Sequence, residues 1–142
     1  MSGYGKNSKL AAYQSVSVHG GVSNADPHRL VLMLMDGALE RLALARGSLE
    51  RGEIARKAQL LHSCVTIIAE LCGSLNLAQG GELAQNLSKL YDYMMRQLLR
   101  ANVENNQDHI REVAGLLGEI RSAWVAIGPD ARQQQTGSGA GG

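Results

Sequence analysis

The sequence contains no phenylalanine, and only 4% of its 142 residues are aromatic. Apolar residues nevertheless make up 44% of the chain. A core made from this composition is filled by Leu, Ile, Val, Met and Ala, which are typical of helical bundles. No alternating strand pattern competes with the helical periodicity. The composition therefore favours an all-α protein.

Net charge is also nearly absent, because 14 Lys and Arg residues oppose 13 Asp and Glu residues and leave +1 at pH 7. Such a chain has no basic field to attract nucleic acid or an anionic membrane. No run approaches the roughly 20 apolar residues that a membrane-spanning helix needs. The first residues lack an apolar signal core, so we expect a cytoplasmic protein.

Cysteines are few and badly placed for a disulfide. Cys64 and Cys72 are eight positions apart in one predicted helix, which separates their Cα atoms by about 12 Å, whereas a disulfide needs less than about 7 Å. We interpret them as buried thiols. The four histidines lack metal-ligand spacing, and phosphate-binding loops and nucleophile elbows are missing. We predict no catalytic residue, no cofactor and no metal site; an enzyme is the least favoured hypothesis.

Four apolar seams with heptad spacing organise what the sequence does contain. The first helix is predicted to start at the cap Asp26 and to end at Gly52, and the second follows directly. The third covers 86–102, and Asn105 or Asn106 caps the fourth. The main seams are Val31, Met35, Ala38, Leu42, Ala45 and Leu49; Ile54, Ala58, Leu61, Val65, Ile68, Cys72 and Leu75; Leu83, Leu87, Leu90, Met94 and Ala101; and Ile110, Val113, Leu117, Ile120, Trp124 and Ile127.

Short turns between these seams predict an antiparallel four-helix bundle, in up-down-up-down order, over residues 26–128. Residues 1–25 are predicted to be a flexible segment with a short helix or lid around Leu10 and Tyr13. Residues 129–142 are rich in Gln, Gly and Ser, and are predicted to form a disordered tail.

The second and third helices carry more apolar surface than one bundle interface uses. Each has a second stripe beside its seam, which predicts a further partner, either another helix of the chain or a different molecule. The alternative is a structural or regulatory homodimer in which these stripes bury each other. The second stripes comprise Leu60, Cys64, Ile67 and Leu71 in the second helix, and Ala84, Tyr91, Met95, Leu98 and Asn102 in the third.

Two acidic residues, Asp36 and Asp92, interrupt the apolar helices. Either they lie on a solvated edge, paired with Arg29, Arg96 or a tyrosine hydroxyl, or they border the partner surface and fix its register. Tyr91 has two interpretations as well, because it can fill the gap between two helices or contact the partner.

Several short motifs follow one another in a fixed order. The first two are Asp26-Pro27-His28-Arg29-Leu30 and Met33-Leu34-Met35-Asp36-Gly37-Ala38. They are followed by Gly80-Gly81-Glu82, Asn86-Leu87, Leu90-Tyr91-Asp92-Tyr93-Met94, Leu98-Leu99, Ala101-Asn102 and Ala123-Trp124. This set resembles the flagellar secretion chaperone FliS family, with its Pro-His-x-Leu and Met-Leu-x-Asp-Gly-Ala signature, over roughly Leu10 to Ile127. It departs at Met35, where many relatives carry an aromatic residue.

The resemblance implies a chaperone that binds the disordered C-terminal segment of flagellin, prevents its premature polymerisation and assists its delivery to the flagellar type III export gate. In the family the segment wraps round the bundle and partly folds there. The N-terminal segment can occupy the same groove, so Leu10 and Tyr13 are expected to act as a displaceable lid. A component of the export gate and the flagellar anti-sigma factor are further candidate partners. The candidate partner-binding residues are Leu10, Tyr13, Leu60, Cys64, Ile67, Leu71, Tyr91, Asp92, Met95, Leu98 and Asn102.

Overall fold

The computed structural model describes residues 26–141, and within them every side chain outside 77–79 and 129–141. The described residues form four α-helices and no strand, which confirms the all-α prediction. The expected lid, with Leu10 and Tyr13, lies outside the described residues. The helices are α1 (Pro27–Glu50), α2 (Ile54–Gly73), α3 (Leu77–Glu104) and α4 (Gln107–Gly141).

Two compact units divide the chain. One comprises residues 33–123 and contains most of the four helices. The other includes the described residues 26–32 and 124–141.

Within residues 33–123, hydrogen bonds show that consecutive helices run antiparallel. Lys57 meets Asn102 while Cys72 meets Ser88, so residue numbers rise along α2 as they fall along α3. The same opposition holds for α1 with α2 and for α3 with α4, and α4 returns beside α1. The contacts are Ala38 with Cys64, Arg41 with Ser63, Gln97 with His109, Tyr93 with Glu112, and Asp36 with Arg121.

The core of this unit is aliphatic, as the composition predicts. Burying each large aliphatic side chain contributes roughly 1.5–3 kcal/mol, so the seams hold the helices together. The buried apolar residues are Met35, Ala38, Leu42 and Ala45 in α1; Leu61, Cys64, Ile68 and Leu71 in α2; Ala84, Tyr91, Met94, Leu98 and Ala101 in α3; and Ile110, Val113 and Leu117 in α4.

Side-chain caps fix two helix starts where the sequence predicts them. The Oδ1 atom of Asp26 accepts the N–H of Arg29 at 3.0 Å. The Oδ1 atom of Asn106 accepts the N–H of Asp108 at 2.9 Å. Each bond satisfies a backbone donor that the first helical turn leaves free.

Two glycines interrupt the longer helices by adopting positive φ angles, which residues with a Cβ rarely do. Gly81 (φ 60°) separates the first turn of α3 from its main run. Gly128 (φ 64°) breaks α4 where the sequence predicts its end. Beyond Gly128 the backbone is again helical to Gly141, whereas the sequence predicts a disordered tail. Ala, Arg and Gln follow this break, and all three have good helix propensity.

The terminal unit contains a reciprocal contact between His28 and Trp124. Their rings stack with centroids 4.8 Å apart. The Nε1–H of Trp124 donates to the carbonyl of His28 at 2.9 Å. The Nε2 atom of His28 lies 2.7 Å from the carbonyl of Trp124, which can only accept, so Nε2 carries the hydrogen.

Candidate functional site

The core runs between the two predicted stripes of α2 rather than along one of them. Leu61 and Ile68 come from the seam, and Cys64 and Leu71 come from the second stripe, yet all four are buried. Helix α3 behaves in the same way, with its core formed by Tyr91, Met94, Leu98 and Ala101. The remaining members of both stripes therefore lie along the two edges of a wide apolar face.

This geometry corrects the expected groove. We expected the second stripes to be open to a partner, but Cys64, Leu71, Tyr91 and Leu98 are at most 3% exposed. Burial raises the pKa of the Cys64 thiol and of the Tyr91 hydroxyl to about 12. These four side chains are therefore part of the core and are not open to a partner in the described part of the chain.

The other candidates divide between two edges of α2. Leu60 and Ile67 are half-buried beside α1, while Met95 and Asn102 are half-buried beside α2 on the far side. Asp92 is exposed. The half-buried candidates thus lie on two separate surfaces, one on each side of α2, instead of in one groove lined by both stripes.

We call the first of these surfaces the α1–α2 groove. Polar contacts of Arg41 join α1 to α2 along it. The Nε–H of Arg41 donates to Ser63 Oγ at 2.7 Å, and its Nη1 donates to the Gly37 carbonyl at 3.0 Å. A Cβ on Gly37 would lie 3.3 Å from Nη1 of Arg41 and at an ordinary contact distance, 3.6 Å, from Cδ1 of Ile67, so the glycine leaves room for the Arg41 guanidinium.

Apolar side chains line the rim of the α1–α2 groove. Met33 and Leu44 of α1 are partly exposed, and both share a helical face with Gly37. The register set by Arg41 and Ser63 places Leu44 opposite Leu60. We define the α1–α2 groove by Met33, Leu44, Leu60 and Ile67.

The second groove lies between α2 and α3, where residues seven positions apart on one helix face residues seven positions apart on the other. The contact between Cys72 and Ser88, with 3.6 Å between Sγ and Oγ, sets a register that places Val65 opposite Met95. Both side chains are half-buried. Towards the end of α3 the apolar surface opens widely, because Leu99 is 58% exposed and Val103 is 82% exposed. We define the α2–α3 groove by Ile54, Val65, Met95, Leu99 and Val103.

A buried lysine, Lys57, joins α2 to the last turns of α3 at the end of the α2–α3 groove where Leu99 and Val103 are exposed. Lys57 is 1% exposed. Its Nζ donates to the carbonyl of Asn102 at 2.9 Å and to Oδ1 of the same residue at 2.6 Å. Burial lowers the pKa of Lys57. The ammonium therefore satisfies a carbonyl in the last turn of α3, where the helix itself supplies no donor.

The two acidic residues singled out in the sequence both form ion pairs at the surface. Asp92 pairs with Arg96, one of the predicted partners, at 3.4 Å. Asp36 pairs instead with Arg121 of α4. Exposed pairs of this kind contribute little to stability.

A polar network ties α3 to α4. Gln97 Nε2 donates to Glu112 Oε1 at 2.9 Å and lies 3.2 Å from Nδ1 of His109. The hydroxyl of Tyr93 donates to Glu112 at 2.7 Å, and this bond is the main cause that lowers the pKa of Glu112. His109 Nε2 contacts Glu104 at 3.0 Å and lowers the pKa of that carboxyl. The network fixes the turn and includes no activated nucleophile.

Residues that the sequence assigned to seams, or left without a partner role, supply much of the groove surface. Ile54 was predicted as a seam residue but is exposed at the start of α2. Leu83, another predicted seam residue, is exposed near the start of α3 but belongs to neither groove. Met33, Leu99 and Val103 were not predicted to be partner-binding. The adjacent Leu98-Leu99 pair carried a signal, because neighbours on a helix cannot both face the core.

The described residues also bear on metal, disulfide and membrane-spanning sites. Among the described side chains of residues 26–76 and 80–128, no three His, Cys, Asp or Glu come together as metal ligands would. Both Cys64 and Cys72 are free thiols, as predicted, but only Cys64 is buried; Cys72, which was also predicted to be buried, is half-buried. In the part of the chain that the structure describes, no helix combines the length and apolarity needed to cross a bilayer.

Comparison with known proteins gives a consistent result. A family model described as "Flagellar protein FliS" matches residues 9–131. "Flagellar secretion chaperone FliSB" of Pseudomonas aeruginosa is 47% identical over 118 residues, which cover 83% of this chain and 94% of the relative. "Flagellar secretion chaperone FliS" of Salmonella typhimurium is 45% identical over 130 residues, which cover 91% and 96%. The protein of that name in Bacillus subtilis is 36% identical over 128 residues, which cover 90% and 92%. The chain belongs to the FliS family of flagellar proteins.

Proposed function

We propose that this chain, a flagellar export chaperone by family, binds the C-terminal segment of flagellin in the cytoplasm. The relatives are named flagellar secretion chaperones, and FliS proteins are chaperones rather than enzymes. The observation that carries the proposal is the pair of apolar grooves on either side of α2. A client chain that enters both would cover apolar surface that the fold leaves partly open.

The energetics favour a client that uses both grooves. Ordering a flexible segment costs about 1–2 kcal/mol per residue for the backbone alone. Each apolar side chain that becomes fully buried contributes roughly 1.5–3 kcal/mol. Leu99 and Val103 are the most open apolar residues of the α2–α3 groove, and Leu44 is the most open of the α1–α2 groove. Helical client segments lying along these grooves would bury them.

The remaining steps follow from the same assignment. Covering the flagellin segment would keep it from polymerising before export, and the complex would deliver it to the flagellar export gate. We propose that Leu10 and Tyr13 form a lid that leaves when the client binds. The flagellar anti-sigma factor is a second candidate occupant of the grooves.

One groove variant on each side of α2 tests the proposal. Leu99→Asp and Leu44→Asp each place a carboxylate on an exposed apolar position, so both proteins should fold normally. Each should weaken binding of a synthetic C-terminal flagellin peptide by about tenfold or more, because a charge buried without a partner is costly. Affinity is measured by isothermal titration calorimetry.

The matched control is Leu83→Asp, which makes the same change on α3 at a site that is 61% exposed and outside both grooves. It should bind the peptide as the wild type does. Equal affinities for all four proteins would place the client elsewhere. Light scattering that shows an obligate dimer with both grooves covered would favour the homodimer instead.

A further inference from the structure

The amide of Asn102 has a fixed orientation. Its Oδ1 atom lies 2.6 Å from Nζ of Lys57. An ammonium has donors only, so the amide oxygen must face Lys57, and the Nδ2 group must point away from it. The second bond from Lys57, to the Asn102 carbonyl at 2.9 Å, holds the backbone at the same point.

The Nδ2 group of Asn102 has no hydrogen-bond partner among the side chains that the structure describes, those of residues 26–76 and 80–128. Asn102 is half-buried, and the apolar side chains of Leu99 and Val103 are exposed beside it at the end of α3. Because Asn102 is only half-buried, its two N–H donors are open to water in the free protein. A client that covers Leu99 and Val103 removes that water, and a buried donor left without an acceptor weakens binding.

We propose that Asn102 is a specificity-determining residue of the α2–α3 groove that donates a hydrogen bond to a carbonyl oxygen of the client, and that Lys57 is the positioning residue that aims it. The inference rests on the proposed function. Apolar side chains in the groove tolerate sliding, whereas one amide with a fixed direction demands an acceptor at one place. Asn102 therefore fixes the register of the client along the groove.

The variant that separates this role from a structural one is Asn102→Asp. A carboxylate keeps both acceptors of the Lys57 contact and adds an ion pair, so thermal stability should stay equal or rise. It loses both N–H donors and places negative charge against the client carbonyl. Binding of the C-terminal flagellin peptide should weaken by about tenfold, the loss expected for a hydrogen bond worth roughly 1.4 kcal/mol.

Asn86→Asp is the matched control, because it makes the same change at an exposed position of α3 that points away from the groove. It should bind as the wild type does. If Asn102→Asp binds within about twofold of Asn86→Asp, the donor role is wrong; a twofold change is near 0.4 kcal/mol. If the wild type itself fails to bind the peptide, the proposed function is wrong, and the register role falls with it.

A double-mutant cycle tests the positioning role of Lys57. Lys57→Met should weaken peptide binding in the wild type, because the Asn102 amide is then free to rotate. The same substitution should leave affinity unchanged in an Asn102→Ala background, which has no amide to aim. A purely structural Lys57 would weaken binding equally in both backgrounds, and that result would overturn the positioning role.

Discussion

At the scale of single residues, burial in the core makes the Cys64 thiol and the Tyr91 hydroxyl much harder to ionise than they are in water. Burial raises the pKa of Cys64 from an ordinary 9.0, and that of Tyr91 from 10.0, to about 12 in each case. The stabilising contribution of the protonated thiol is complete below pH 9. Above pH 9 the unfolded chain ionises and the folded one does not, so this contribution is lost as the pH rises towards 12.

Replacing Cys64 should therefore make the free energy of unfolding fall less steeply as the pH rises above 9. Between pH 8 and pH 10, the free energy of unfolding of the wild type should fall by about 1.4 kcal/mol relative to Cys64→Ala, because pH 10 is one unit above the pKa of the thiol in the unfolded chain. Comparing the two proteins at each pH cancels the titration of all other groups. Urea unfolding at pH 8, 9 and 10 provides the measurement.

Cys64→Ser serves as the control for side-chain volume, because its hydroxyl keeps the size of the thiol but does not ionise in this range. It should follow Cys64→Ala in its dependence on pH. Parallel curves for the wild type and both variants would mean that the thiol ionises as readily in the fold as in the unfolded chain.

At the scale of the helical element, the turn between α3 and α4 depends on one residue with an unusual backbone. Asn105 adopts φ 52°, in the left-handed region. The next N–H, from Asn106, donates to the carbonyl of Ala101 at 3.3 Å and closes the end of α3. This pattern is a common helix C-terminus, in which glycine is favoured and asparagine is tolerated.

Two substitutions of Asn105 should have different effects on the free energy of unfolding. Asn105→Gly should change the free energy of unfolding by no more than about 0.5 kcal/mol, whereas Asn105→Ala should lower it by about 1 kcal/mol, because a Cβ strains the left-handed conformation. Chemical denaturation of both variants tests this. A loss of stability in the glycine variant that matched the alanine variant would argue against a left-handed Asn105.

The apolar faces of α2 and α3 explain why the seams were easier to predict than the site. The single seam of α1 was predicted well, and Met35, Ala38, Leu42 and Ala45 are all buried. On α2 and α3 two adjacent heptads share one wide face, and periodicity does not decide where its centre points. Only packing against the neighbouring helices shows that the core takes alternate members of both stripes.

At the scale of the whole molecule, the all-α class and the cap residues Asp26 and Asn106 could be predicted from local rules. The positions of the grooves could not, because they depend on tertiary register. The α1–α2 groove, for example, depends on the register set by Arg41 and Ser63, which are 22 positions apart in the chain. The buried pairing of Lys57 with Asn102 was missed for the same reason: a charged residue near a helix start gave no signal that it would be buried.

The central claim is that a flagellin segment covers both grooves of the folded bundle. Methionines offer a direct test, because Met33 lies in the α1–α2 groove and Met95 in the α2–α3 groove, while their near neighbours Met35 and Met94 are fully buried. Each groove thus has its own reporter and its own internal control. The measurement is methyl NMR of methionine-labelled protein, titrated with the C-terminal flagellin peptide.

We expect the methyl resonances of Met33 and Met95 to shift together on binding, and those of Met35 and Met94 to shift much less. A saturable shift of Met33 alone or of Met95 alone would restrict the client to one groove. Binding that leaves both resonances in place, or that shifts only Met35 and Met94, would contradict the account.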